Sequence, residues 1–145
     1  LQRLLYSLET VWLSKSLRKK IDGFYAKCLR QILQISPSFI NRVSNEYILK
    51  QFNTKPLSKI LLSRQLILFG NIARLHNDHV VRKITFQESS SQPFSHHNRR
   101  RGRPRSSWTT ELRSILISWV HDEHELWNRI QDPQSWKQFV IQHCE

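Results

Sequence analysis

SKSLRKKIDGFYAKCLRQILQISPS, residues 14–38, decides the fold class. Leu17, Ile21, Phe24, Cys28, Ile32 and Ile35 recur at three- and four-residue spacing, with Tyr25 and Leu29 widening the stripe. That period belongs to an amphipathic helix, not to a strand. Ser14 can accept a hydrogen bond from the first turn as its N-cap, and Ser36-Pro37-Ser38 ends the helix, because proline cannot continue the backbone ladder. Lys15, Arg18, Lys19, Lys27 and Arg30 fall mostly off the stripe, so the pattern predicts a helix with a basic outer side.

Upstream, residues 1–13 are apolar with no strong start signal and read as the tail of a helix. Downstream, Ser44 caps a short helix through Phe52, with Val43 and Ile48 spaced as a hydrophobic staple. Asn53-Thr54 breaks it, and Pro56 opens a longer helix to about Leu75 with Leu57, Leu61, Leu68, Ile72 and Leu75 on one face. Arg64 interrupts that face, and Gly70 weakens the helix by about 1 kcal/mol. Val80 to Phe86 reads as a short helix capped by Asp78, with a strand as the alternative because Val, Ile and Thr dominate it. Residues 88–107 then change to Ser, His, Arg and Pro, the composition of an exposed linker. Beyond it, Trp108, Leu112, Ile115, Leu116 and Trp119 mark one helix. Asp122 and Glu125 have capping-box spacing for a second, and Asp132-Pro133 starts a third with Trp136, Phe139, Val140 and Cys144 as its buried stripe. The expectation is an all-α chain: a helical region at 1–87, a basic extended linker at 88–107 and a smaller helical region at 108–145. No repeat is visible.

Charge narrows the function. Lys and Arg number 23 against 11 acids, a net +12 over 145 residues. The excess is concentrated: residues 1–110 carry a net +15 and residues 111–145 a net −3. That imbalance favours nucleic acid first and an anionic membrane surface second. Two cysteines make no disulfide framework, which fits a reduced intracellular setting, nuclear or cytoplasmic. There is no signal peptide and no apolar run of spanning length. The first residue, Leu1, suggests a piece of a longer protein.

Two basic features carry binding chemistry. The first is the outer side of the 15–30 helix, at Lys15, Arg18, Lys19, Lys27 and Arg30, suited to phosphate contacts. The second is Arg99, Arg100, Arg101, Gly102, Arg103, Pro104 and Arg105, with five arginines in seven residues. Glycine and proline keep this run extended, and Gly102-Arg103-Pro104 has the form of an AT-hook, thin enough for a narrow minor groove. A nuclear localisation signal reads from the same residues. The tryptophans sit mostly at core spacing, although Trp12 or Trp108 could stack on a base. His121 and His124 with Glu125, even with His143 and Cys144, lack the paired ligands of a zinc site. No acidic pair suits Mg²⁺, and there is no phosphate loop or nucleophile elbow. The expectation is no catalytic residue, no metal and no cofactor in this chain.

The residues also resemble the C-terminal part of reverse transcriptases of non-LTR (LINE-like) retrotransposons, beyond the polymerase palm. Leu5-Tyr6 with Glu9-Thr10 looks like that family's Leu-Tyr-Gly-x-Glu-x-Trp segment, with Ser7 for the glycine and Val11 at the tryptophan position, Trp12 following. Phe24 to Leu33 looks like its Phe-x-x-Arg/Lys-Cys-Leu-Arg-x-Ile-Leu helix, the most specific piece. Arg42-Val43, Asn45-Glu46, Ile48-Leu49, Pro56-Leu57, Arg64, Leu68-Phe69-Gly70 and Ala73-Arg74 follow in order, with Gly70-Asn71 where Gly-His is usual. Arg99 to Arg105 before Trp108, and Asp132 with Trp136-Lys137, complete the match. The resemblance implies a thumb-like helical region that holds an RNA–DNA hybrid or target DNA during target-primed reverse transcription. The catalytic aspartates, their Mg²⁺ and the endonuclease would lie in upstream parts, and the polymerase palm would be a neighbour. The rival expectations are an AT-hook-bearing DNA or chromatin module, a helical protein-interaction module docking through its Trp-rich end, and an inert relic.

Overall fold

The computed structural model describes residues 5–94 and 107–144, and the described chain is all-α. A 3-10 turn at Leu8–Thr10 precedes eight helices among the described residues: α1 Lys15–Ile32, α2 Ser38–Asn41, α3 Asn45–Gln51, α4 Leu57–Ala73, α5 Val80–Thr85, α6 Trp108–Val120, α7 Glu123–Gln131 and α8 Pro133–His143. Leu5 is helical and fully buried, the 3-10 turn follows it, and residues 1–4 of the expected helix tail lie outside the described residues. Val80–Thr85 is helical, and the only extended pairing described is an isolated bridge from Phe86 to Pro93.

Local chemistry sets most of the ends. Ser14, Ser44, Asp122 and Asp132 each accept backbone N–H bonds in the first turn of the following helix, satisfying donors that the helix itself cannot. Glu125 does not reciprocate toward Asp122; its carboxylate takes Arg129 instead, at 2.7 Å. The cap of α5 is the His79 ring, and Asp78 pairs with Lys83. At the other ends, α1 and α3 close alike. Gln34 and Asn53 take left-handed φ of 54° and 47°. The N–H groups of Ile35 and Thr54 reach back to Arg30 and Leu49 at 3.0 Å, the double closure of a Schellman turn.

One helix organises the packing. The first half of α4 joins α1, α3 and the N-terminal turn around Leu5, Tyr25, Leu29, Ile48, Leu57 and Leu61. Its second half contributes Leu66, Phe69, Ile72 and Ala73 to a larger core with Phe86, Leu112, Leu116, Leu126, Ile130, Trp136, Phe139 and Val140. The segments on either side of residues 95–106 thus share a core. Residues 88–94 of the expected linker are also built in, with Ser91 buried and Arg82 donating to Ser90 O at 3.4 Å.

Between the two halves, Gln65 is fully buried, and its Nε2 donates to Leu8 O at 3.2 Å and Val11 O at 2.8 Å. Gly70 meets the α8 indole, whose Nε1 donates to Leu66 O at 3.1 Å. A Cβ at Gly70 would stand 2.2 Å from that nitrogen. The glycine is there for close approach, not as a defect in the helix.

The buried face of α1 is turned roughly a quarter turn from the expected stripe, at 100° per residue. Tyr25, Ala26, Leu29 and Arg30 are buried, whereas Leu17, Phe24 and Ile32 are 46%, 52% and 68% exposed. Asp22 lies on the inner side. Its carboxylate accepts Ser58 N–H and Ser58 Oγ–H, both at 2.7 Å. It thereby caps α4, whose own N-cap, Pro56, offers no side-chain acceptor.

Candidate nucleic-acid interface

The inward turn of α1 separates its cations into two groups. Lys15, Lys19 and Lys27 are exposed, as is Lys20, which the sequence pattern had not singled out. Arg18 and Arg30 are not on that surface. The Arg18 guanidinium lies over the Trp12 ring at 4.0 Å, and its Nε donates to Leu13 O at 3.2 Å. Burial pulls its pKa below the ordinary arginine value, against the opposing pull of Asp22 and Glu111. Trp12 is consequently covered and half-buried. Trp108 is half-buried edge-on to Phe69 at 6.3 Å. Both tryptophans pack against the core.

Arg30 is only 5% exposed. Its Nη2 donates to Val43 O and, at 3.0 Å, to Asn45 Oδ1, tying α1 to the start of α3. Its Nη1 is buried without a hydrogen-bond partner. Beside it is a cavity of about 580 Å³ whose lining includes Lys27, Arg30, Gln31, Ser38, Phe39 and Asn45. Phe39 stands at this cavity 83% exposed. The sequence signal for it was slight: Phe39-Ile40 is an isolated apolar pair in a polar stretch, with no periodic partner.

Other arginines of the basic half are also engaged internally. Arg64 pairs with Glu9 at 3.3 Å. Arg74 donates to Ile130 O at 2.8 Å. Arg82 is buried, donates to Ala73 O and Asn77, and faces the Trp127 ring at 5.5 Å. Burial lowers the pKa of both Arg74 and Arg82. The lysines do the reverse and project outward. This division follows from chemistry: a guanidinium is weakly hydrated and forks to several acceptors, whereas an ammonium is strongly hydrated.

The second predicted feature, Arg99, Arg100, Arg101, Gly102, Arg103, Pro104 and Arg105, lies outside the described residues. Among the described residues no three His, Cys, Asp or Glu side chains are placed to hold a metal. His143 stacks on Trp119 at 4.9 Å and its Nδ1 lies 2.9 Å from Phe139 O. Cys144 is buried, which raises its thiol pKa and suppresses the thiolate needed for nucleophilic chemistry. No helix among the described residues is long and apolar enough to cross a membrane.

The chain has no significant match to a protein-family model, a curated protein or a solved structure.

Proposed function

We propose that this chain is the thumb-like and C-terminal part of a non-LTR retrotransposon reverse transcriptase, and that it grips a template–primer RNA–DNA hybrid, or target DNA, by its phosphates. The observation that carries the reading is the outer face of α1. Lys15, Lys19, Lys20 and Lys27 are exposed there, and Asp22, the one acid of that helix, is drawn inward to Ser58. The charges displayed on that face are therefore all positive. Such a surface recognises a duplex backbone and not its base sequence.

The residues that carry the resemblance interlock in space. Glu9 pairs with Arg64, Arg30 holds Val43 and Asn45, and Gly70 admits Trp136. They build the scaffold on which the lysines are displayed. Catalysis and Mg²⁺ binding belong to the palm of the parent protein, and this chain contributes binding in the nucleus or cytoplasm. The arginine run at 99–105 adds phosphate contacts. Its Gly102-Arg103-Pro104 core supports a second reading, an AT-hook-like module selective for A·T-rich DNA.

The test is fluorescence anisotropy with a labelled RNA–DNA hybrid. Lys15, Lys19 and Lys27 are exposed, so changing all three to Glu leaves the fold intact. It weakens hybrid binding at low salt by at least ~10-fold, since three phosphate contacts become repulsive. Unchanged affinity in that variant rules out α1 as the grip.

A further inference from the structure

The cavity beside α1 shares Lys27 with the lysine face and adds, in its wall, a buried guanidinium with no counter-charge. Arg30 is 5% exposed, and its Nη1 has no hydrogen-bond partner. No carboxylate pairs with it among the described residues. A guanidinium out of water without a counter-charge is costly, and an anion close by offsets that cost. Lys27, one helical turn earlier, lines the same cavity and is exposed. The volume, about 580 Å³, falls in the range of roughly 300–1,000 Å³ usual for small-ligand sites and is far more than a phosphate alone needs. Phe39 presents an open aromatic face at the cavity, and Gln31, Ser38 and Asn45 bring amide and hydroxyl groups. Cations, an unpartnered ring and amides within one cavity are what an unpaired nucleotide uses: phosphate to the cations, base to the ring, base edges to the amides.

We infer that this cavity is a binding site for one unpaired nucleotide, with Lys27 and Arg30 compensating its phosphate and Phe39 stacking on its base. The inference rests on the nucleic-acid reading above and extends it from duplex backbone to a single-stranded end. The site lies where α1, α2 and the start of α3 meet, so a strand leaving a duplex held on α1 has a defined place to go.

The experiment compares a blunt RNA–DNA hybrid with the same hybrid bearing a three-nucleotide unpaired extension, by anisotropy at fixed salt. The extension strengthens binding about 5-fold or more, the scale of one base–aromatic stack. Phe39→Ala abolishes that gain while blunt-hybrid affinity stays the same, and Phe39→Trp keeps it. Because Phe39 is exposed, neither change threatens folding. Equal affinity of the two hybrids, or a gain that survives Phe39→Ala, overturns the site. An abasic extension that binds as well as the base-bearing one means that phosphate alone is held, and overturns the stacking role. If the blunt hybrid does not bind, duplex gripping fails separately. A labelled single-stranded trinucleotide then decides the cavity by the same Phe39 comparison.

Discussion

A methyl group at residue 70 would meet Trp136 Nε1 at 2.2 Å, an indole that is 1% exposed and hydrogen-bonded to Leu66. Two effects oppose each other in Gly70→Ala. Helix propensity favours alanine by about 1 kcal/mol, and overpacking of a filled core costs about 1–3 kcal/mol, occasionally more. An overlap of this depth with a held ring makes packing win. The variant is expected to lose about 2 kcal/mol in urea unfolding; a stabilised variant would contradict the packing described. At the same scale, Asp22→Ala removes the carboxylate that caps α4 from outside. It is expected to cost about 1–2 kcal/mol, read as a lowered urea midpoint, although it raises the positive charge of α1. Residues of this kind show where sequence reading stops. Ser14, Ser44, Asp122 and Asp132 were legible because a cap bonds to its own chain within three residues. The tasks of Asp22, Gly70 and Arg30 were not, since each has partners 13 or more residues away.

Among the elements, α1 was foreseen as a helix with nearly correct ends, but its buried side was misplaced. Its sequence supports two adjacent apolar stripes, and periodicity alone cannot choose between them. Tertiary partners choose: Ile48, Leu57 and Leu61 take Tyr25 and Leu29, and Leu17 and Phe24 remain outside. The same rotation draws Arg18 and Arg30 inward, so that three of the five expected contacts, Lys15, Lys19 and Lys27, stay on the surface. The junction between α6 and α7 offers a test by pH. Arg113 donates to Glu123 at 2.8 Å, and this hydrogen bond holds the Glu123 pKa below its ordinary 4.5, with smaller help from Gln92 and against a partial burial cost. The folded pKa is thus below the unfolded one, so the contribution is present above pH 4.5 and is lost as pH falls through the folded value. Arg113→Ala is expected to narrow the gap in urea midpoint between neutral and acidic pH. An unchanged gap would mean that the pair contributes nothing to stability.

For the whole molecule, composition and period were enough for the all-α class, whereas the change of composition after residue 88 did not foretell that residues 88–94 are built into the fold. What they could not reveal is that α6, α7 and α8 complete a core begun by α4, because docking between distant helices leaves no local signature. Leu66, Phe69, Ile72 and Ala73 are covered by those helices. A chain ending at residue 94 should therefore lose the cooperative melt followed by circular dichroism, whereas an unchanged melt would show that the two helical parts stand apart. The net charge also reads differently once the arginines are placed. Several hold the scaffold together, and the lysines of α1 are left exposed.

Phosphate gripping stands or falls on the affinity of the chain for a labelled RNA–DNA hybrid, and for A·T-rich and G·C-rich duplexes, across a salt series. If about six phosphates are engaged, log affinity falls against log salt with a slope near −5, with little preference among duplexes. Converting Lys15, Lys19 and Lys27 to Ala should flatten that slope by about 3. A marked preference for A·T-rich DNA would transfer the binding to Gly102-Arg103-Pro104 and its flanking arginines. No binding at low salt would rule out both the lysine face and the arginine run as nucleic-acid contacts.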